Sequence, residues 1–229
     1  MDSASLTDRI ACPQTFMPID RILTIAGAMS ALLLIAGMIA GRTNSAWRIW
    51  PAPPVGSVKS FIFWTLFRTA NIAALVIAVE RVVSAPFNAL TPFRVGLAGI
   101  AFLAGIAYVY TLWSLGRKAT YCQASGLATE GVYRWTRNPQ YSTAILAFTT
   151  LGLAAWSLDA TGLAGAVVLV YAMMARTEEP WLEARYGTAY LKYKADVPRF
   201  FNARHAVSEV RALLSEKVPA FAGGHRNKR

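Results

Sequence analysis

The chain has 229 residues, 55% of them hydrophobic and only 15% charged, with a mean hydropathy of +0.38. A soluble domain carries about a quarter charged residues, and the deficit here falls in bilayer-length stretches. That excludes an ordinary soluble fold and predicts an all-α integral membrane bundle. The net charge of +11 gathers in connections and in the C-terminal tail, where anionic lipid headgroups account for it, and no nucleic-acid motif is present.

The polar, mixed-charge start Met1–Ile10 lacks the basic onset and apolar core of a cleaved signal peptide. A first span is predicted from Ile22 to about Ala40, bracketed by Arg21 and Arg42. Next comes WRIWPAPPVGSVKS, whose Trp47 and Trp50 suit a headgroup boundary and whose prolines exclude a helix. The second span, Phe61–Val83, contains Arg68, Asn71, Glu80 and Arg81. Glu80 and Arg81 lie near its end and can snorkel. Arg68 and Asn71 share one helical face, and polar groups at that depth face other helices or a cavity. Structural hydrogen bonding and substrate binding fit this pair equally.

SAPFNALTPF is predicted as a turn and Val95–Leu115 as the third span, with Gly96, Gly99 and Gly105 permitting close helix packing. The fourth span runs from about Tyr141 to Leu158 and the fifth from Ala160 to about Ala175, a tight hairpin with Asp159 at its tip. At 1.5 Å per residue each arm is roughly 24–27 Å, slightly short of a hydrocarbon core. With five spans the basic residues put the N-terminus outside and the C-terminus in the cytoplasm.

After the hairpin, Leu182, Tyr186, Tyr190 and Tyr193 recur at helical spacing, which predicts an amphipathic helix over Glu178–Tyr193 lying at the membrane interface. Val197-Pro198-Arg-Phe-Phe201 breaks it, a short amphipathic piece around Val207–Leu214 follows, and the terminal GGHRNKR is expected to be disordered near the lipid. Cys12 and Cys122 are the only cysteines, His205 and His225 the only histidines, and no cluster has metal-ligand spacing, so neither a disulfide nor a metal is expected. Three segments result: 1–115 with the first three spans, 116–201 as a functional core, and the basic tail 202–229.

Two parts of the core carry chemistry. Asn138 followed by Pro139 is a helix start, which turns free N–H groups and a positive dipole end toward the membrane surface beside Arg137. Arg176-Thr-Glu178-Glu179-Pro180 ends the fifth span with adjacent carboxylates. The hairpin makes the two neighbours, enclosing a pocket suited to a zwitterionic cofactor.

The ordered set Gly131-Val-Tyr133, Arg137-Asn-Pro-Gln-Tyr141, Glu178-Glu179, Tyr186-Gly-Thr-Ala-Tyr190-Leu-Lys-Tyr193 and Val197-Pro198 covers roughly residues 116–201. In order and spacing it resembles the membrane methyltransferases that include isoprenylcysteine carboxyl methyltransferase and the phosphatidylethanolamine methyltransferases. The resemblance implies a site for S-adenosylmethionine. Gly126, Leu127 and Ala128 would line it with backbone groups, and Tyr133, Asn138, Pro139, Gln140 and Tyr141 would surround the cofactor. Glu178, with Glu179 beside it, would bind a polar group, and Arg137 and Arg176 are candidates for the substrate's anionic group. Asn138 stands where the family usually has histidine, and it cannot titrate.

Methyl transfer from a sulfonium is an in-line displacement for which the protein mainly supplies positioning and a dry site; a carboxylate acceptor needs no general base, a phospholipid amine has to lose a proton, and no catalytic residue is assigned. Tyr133, Trp135 and Tyr141 offer aromatic faces to the sulfonium. The expected acceptor is a membrane lipid, or a lipid-modified small molecule or peptide, entering sideways from the bilayer. The leading expectation is an isoprenylcysteine carboxyl methyltransferase-like enzyme, with a phospholipid amine N-methyltransferase as alternative. From other classes come an NADPH-dependent sterol-reductase-like enzyme, disfavoured by Ser142-Thr143 where Gly-Glu would be expected, and a non-catalytic binding protein.

Overall fold

The computed structural model describes residues 17–51, 53–120 and 126–217. Cys12, Cys122, His225, the polar N-terminal segment and the GGHRNKR terminus lie outside these. The described residues form an all-helical bundle: α1 (Ile19–Thr43), α2 (Val58–Val83), α3 (Thr91–Thr120), α4 (Pro139–Ala155), α5 (Leu158–Tyr186), α6 (Thr188–Asp196) and α7 (Ala203–Lys217). Among them, α1, α2, α3 over Thr91–Leu115, and α5 are long and apolar enough to cross a membrane. The fifth expected span, α4, has only 17 residues and is the short arm of the hairpin with α5.

α5 is the central element, packed against α1, α2 and α4, while α3 lies along α4. Leu34, Phe63, Ile77, Val167, Val170 and Met174 are almost fully buried between these helices. Between neighbouring α-helices, close approach is allowed by Gly27 and Gly152. A Cβ at Gly27 would come 2.5 Å from the Ala73 Cβ, and one at Gly152 would come 2.7 Å from that of Ala164. Gly96, Gly99 and Gly105 do not serve as expected, since a Cβ at any of them meets open space. They lie on a helix with only one long packing partner.

One end of the bundle is tied by charge. Arg81 bonds Asp159 at 2.8 Å and Asp20 at 3.1 Å, joining α1, α2 and α5, and also pairs with Glu80. Rather than snorkelling, Arg81 is thus held inside a four-residue cluster. Beside it buried Arg94 donates to the Ala154 and Ala155 carbonyls, taking up acceptors that the C-terminus of α4 leaves open.

At the other end the expected interfacial helix over Glu178–Tyr193 is corrected. α5 runs on without a break to Tyr186, with Pro180 inside it. Pro180 has no N–H to donate to the Arg176 carbonyl, and both residues lie on the exposed side of the helix. The break comes at Gly187, with φ +53° and ψ −131°, a backbone region that favours glycine. It turns α6 back so that Tyr190 and Tyr193 are buried against Tyr133 instead of facing lipid. Trp50 is corrected likewise: only Trp47 is exposed, and Trp50 is buried and stacked on Phe63 at 4.9 Å. The turn after α2 is shorter than expected, because α3 begins at Thr91 with Pro92 in its first turn.

Candidate active site

The mouth of the α4–α5 hairpin holds a small cleft of about 80 Å³. One wall is the extended stretch Gly126–Ala128 with the turn carrying Tyr133. A second is the start of α4, with Arg137, Asn138 and Gln140. The end of α5 contributes Glu178, Trp181, Leu182 and Tyr186, and α6 contributes Tyr190 and Tyr193.

Four buried polar atoms here have no partner within the described structure: Tyr133 Oη, Arg137 Nε, Gln140 Oε1 and Tyr190 Oη. Buried polar groups are nearly always hydrogen-bonded, so four orphans lining one cleft imply a polar ligand. Burial, with the Glu178 carboxylate nearby, pushes the Tyr133 phenol up, and burial, with Glu179 nearby, pushes Tyr190 up to about 12. Both phenols therefore stay protonated near neutrality and can donate.

The adjacent glutamates have separate fates. Glu178 accepts a hydrogen bond of 2.7 Å from Tyr141 Oη. No cation among the described residues pairs with it. Glu179 is buried and held by Arg137 at 2.9 Å and by both sides of the Arg199 guanidinium at 2.7 Å. Arg137 also donates to the Lys194 and Val197 carbonyls. The cluster clamps the start of α4, the end of α5 and the strap after α6. Charge pairing with Glu179 raises the Arg199 guanidinium further above its already high value.

Of the residues expected to hold a cofactor, Gly126, Leu127, Ala128, Tyr133, Asn138, Gln140 and Glu178 line the cleft, as does Arg137. Pro139, Tyr141, Glu179 and Arg176 do not. Pro139 opens α4, Tyr141 lies behind Glu178, Glu179 is consumed in the clamp, and Arg176 is exposed on α5. Asn138 occupies the cap position of α4, but its side chain does not cap. It donates to the Arg199 carbonyl at 3.0 Å. Arg199, Trp181 and the inward role of the tyrosines escaped sequence reasoning; the arginine inside the Val-Pro-Arg-Phe-Phe break was the available signal.

A second cavity lies within the membrane-spanning part. It is an open apolar crevice of about 1070 Å³ between α2 and α3, floored by α4 and α5. The two cavities approach each other at a pair of rings. Tyr141, bonded to Glu178, lies 6.0 Å from Tyr171, which lines the crevice.

The fold defines an integral membrane helical protein with a polar cleft at the mouth of a hairpin and an apolar crevice beneath it. Residues 93–189 match the family model of phospholipid methyltransferase, a similarity that covers less than half of the chain. Neither a curated protein nor a solved structure gives a significant match. The matched stretch spans α3 to the start of α6. It leaves out α1, α2, Trp50 and Arg199.

Proposed function

We propose that this membrane protein is a methyltransferase that uses S-adenosylmethionine, held in the cleft, to methylate an amphiphilic acceptor lodged in the crevice. The observation that carries this reading is the meeting of a polar cleft lined by four orphaned donors and acceptors with an apolar crevice, across Tyr141 and Tyr171.

The residues present fit the cofactor's mix of carboxylate, ammonium and hydroxyl groups. The cofactor, when bound, supplies a methyl group on a sulfonium, open to in-line displacement. Tyr133 and Tyr190 donate hydrogen bonds as neutral phenols, while Gln140 Oε1 and the Glu178 carboxylate accept them. The Gly126–Ala128 backbone lies alongside. Leu127, Trp181 and Leu182 exclude water, which strengthens each of these contacts. Tyr141 holds Glu178 in place. For a carboxylate acceptor, as in the isoprenylcysteine carboxyl methyltransferases, no proton need move.

One feature favours a second reading, N-methylation of a phospholipid amine. Glu178 has no cationic partner among the described residues and adjoins the junction of the cavities, so it is placed to take the proton that an ammonium group must lose.

In calorimetric titrations of detergent-solubilised protein, S-adenosylmethionine and S-adenosylhomocysteine should release heat and NADPH should not. Glu178→Gln should weaken adenosyl binding by about tenfold, the worth of one hydrogen bond to a charged group. Silence with both adenosyl compounds would reject the proposal. Transfer of labelled methyl to a prenylcysteine carboxylate or to phosphatidylethanolamine separates the two readings.

A further inference from the structure

We infer that the crevice between α2 and α3 binds an anionic amphiphile whose acidic headgroup pairs with Arg68 and whose chain lies along α2. The biological use of this site as the acceptor chamber rests on the proposed function; the binding itself does not.

Arg68 lies ten residues beyond Val58, the first residue of α2, hence about 15 Å along the helix axis. Its side chain lines the crevice. Its one recorded contact is the face of the Trp64 ring, with the guanidinium carbon 5.9 Å from the centroid. No acidic side chain lines the crevice and, among the described residues, none pairs with Arg68. A guanidinium in apolar surroundings within a membrane-spanning helix calls for a counter-anion.

The neighbouring polar groups do not supply one, because they satisfy each other. Asn71 donates to the Phe67 carbonyl at 2.8 Å and accepts from Tyr171 Oη at 2.9 Å, and Tyr171 reaches Tyr108 Oη at 3.4 Å. Asn71 is therefore structural, and the pair that looked alike in sequence separates. Below Arg68 the walls are purely apolar, with Ile72, Leu75 and Val79 facing Phe102 and Ile106. A site with one uncompensated cation at a polar end and a long hydrocarbon channel complements an acidic headgroup on an acyl or isoprenoid chain. The helix that carries Arg68 lies outside the family match.

The test uses the full chain in dodecyl maltoside micelles and three probes of equal chain length: dibrominated stearate, dibrominated octadecyl phosphate and dibrominated octadecanol. Bromine in the crevice should quench tryptophan fluorescence, since Trp113 lines it. At least one anionic probe should bind about tenfold or more tightly than the alcohol, as expected for a desolvated charge pair. Whichever anion leads identifies the headgroup as carboxylate or phosphate. Arg68→Gln should abolish the anion's advantage and leave the alcohol unchanged, with Arg68→Lys recovering part of it. Gly105→Leu, which projects into open space in the crevice, should block all three probes.

Equal binding of alcohol and anions, undiminished anion binding by Arg68→Gln, or full quenching in Gly105→Leu would each overturn the inference. Calorimetry with S-adenosylhomocysteine on the same preparations reports folding and the cofactor reading separately. Wild-type protein that binds anions through Arg68 but releases no heat with the adenosyl compound would sink the methyltransferase proposal and keep this one.

Discussion

Glu178 and Glu179 are chemically identical and adjacent, yet the roughly 100° turn between successive residues of a helix sends them to different neighbours. Glu179 meets Arg137 and Arg199 in a buried cluster, and Glu178 meets Tyr141 at the edge of the cleft. Truncating one member of a buried charge cluster leaves the others uncompensated. Glu179→Ala should therefore cost about 3 kcal/mol of stability, read as an earlier denaturant midpoint in mild detergent, with little dependence on salt. A midpoint equal to wild type would mean that the clamp is not structural. The carboxylate pair was legible in the sequence as a landmark. Its division of labour was not, because Glu179's principal partner Arg199 arrives only through the packing of α6 and the strap after it.

Helix boundaries and packing faces belong to the next scale. The apolar runs predicted α1, α2 and α3 closely, since a hydrophobic stretch needs no tertiary partner to be recognised in a lipid environment. The end of α5 was misjudged because proline and charge looked like a boundary, whereas the helix continues and breaks one turn after Trp181–Leu182, at Gly187. Tyrosines at helical spacing looked interfacial because amphipathicity identifies a face without saying what covers it. Glycines show the same limit. Gly27→Val should force α1 away from α2 and destabilise by about 1–3 kcal/mol, whereas Gly99→Ala, set in open space, should be neutral or gain up to about 1 kcal/mol from helix propensity. Fluorescence-detected size exclusion after a heating series checks both. Equal survival of the two variants would contradict the packing described for Gly27.

For the whole molecule, the charge distribution gives the two ends different characters. At the end tied by Arg81 and Arg94, Arg81 is paired with acids and Arg94 is spent on helix carbonyls. At the cleft end the basic residues of α6 and α7 outnumber the acidic ones. An excess of lysine and arginine marks the cytoplasmic side, so a fluorescent protein fused after Arg229 should be bright and an alkaline phosphatase fused there inactive. The reverse pattern would invert the proposed orientation and put the cleft on the wrong side for a cytoplasmic cofactor.

The sequence by itself determined that this is a helical membrane protein and that its second half carries an ordered set of short motifs. Hydropathy and ordered short motifs are local properties, set by residues within one or two turns of each other. Only the tertiary structure decided which polar atoms remain without partners, that α2 and α3 stand apart over a crevice, and that Arg68 and Asn71 part company. Each of those depends on what arrives from a distant helix to cover or to leave open a given side chain, and an orphaned group or a cavity is defined by that remainder.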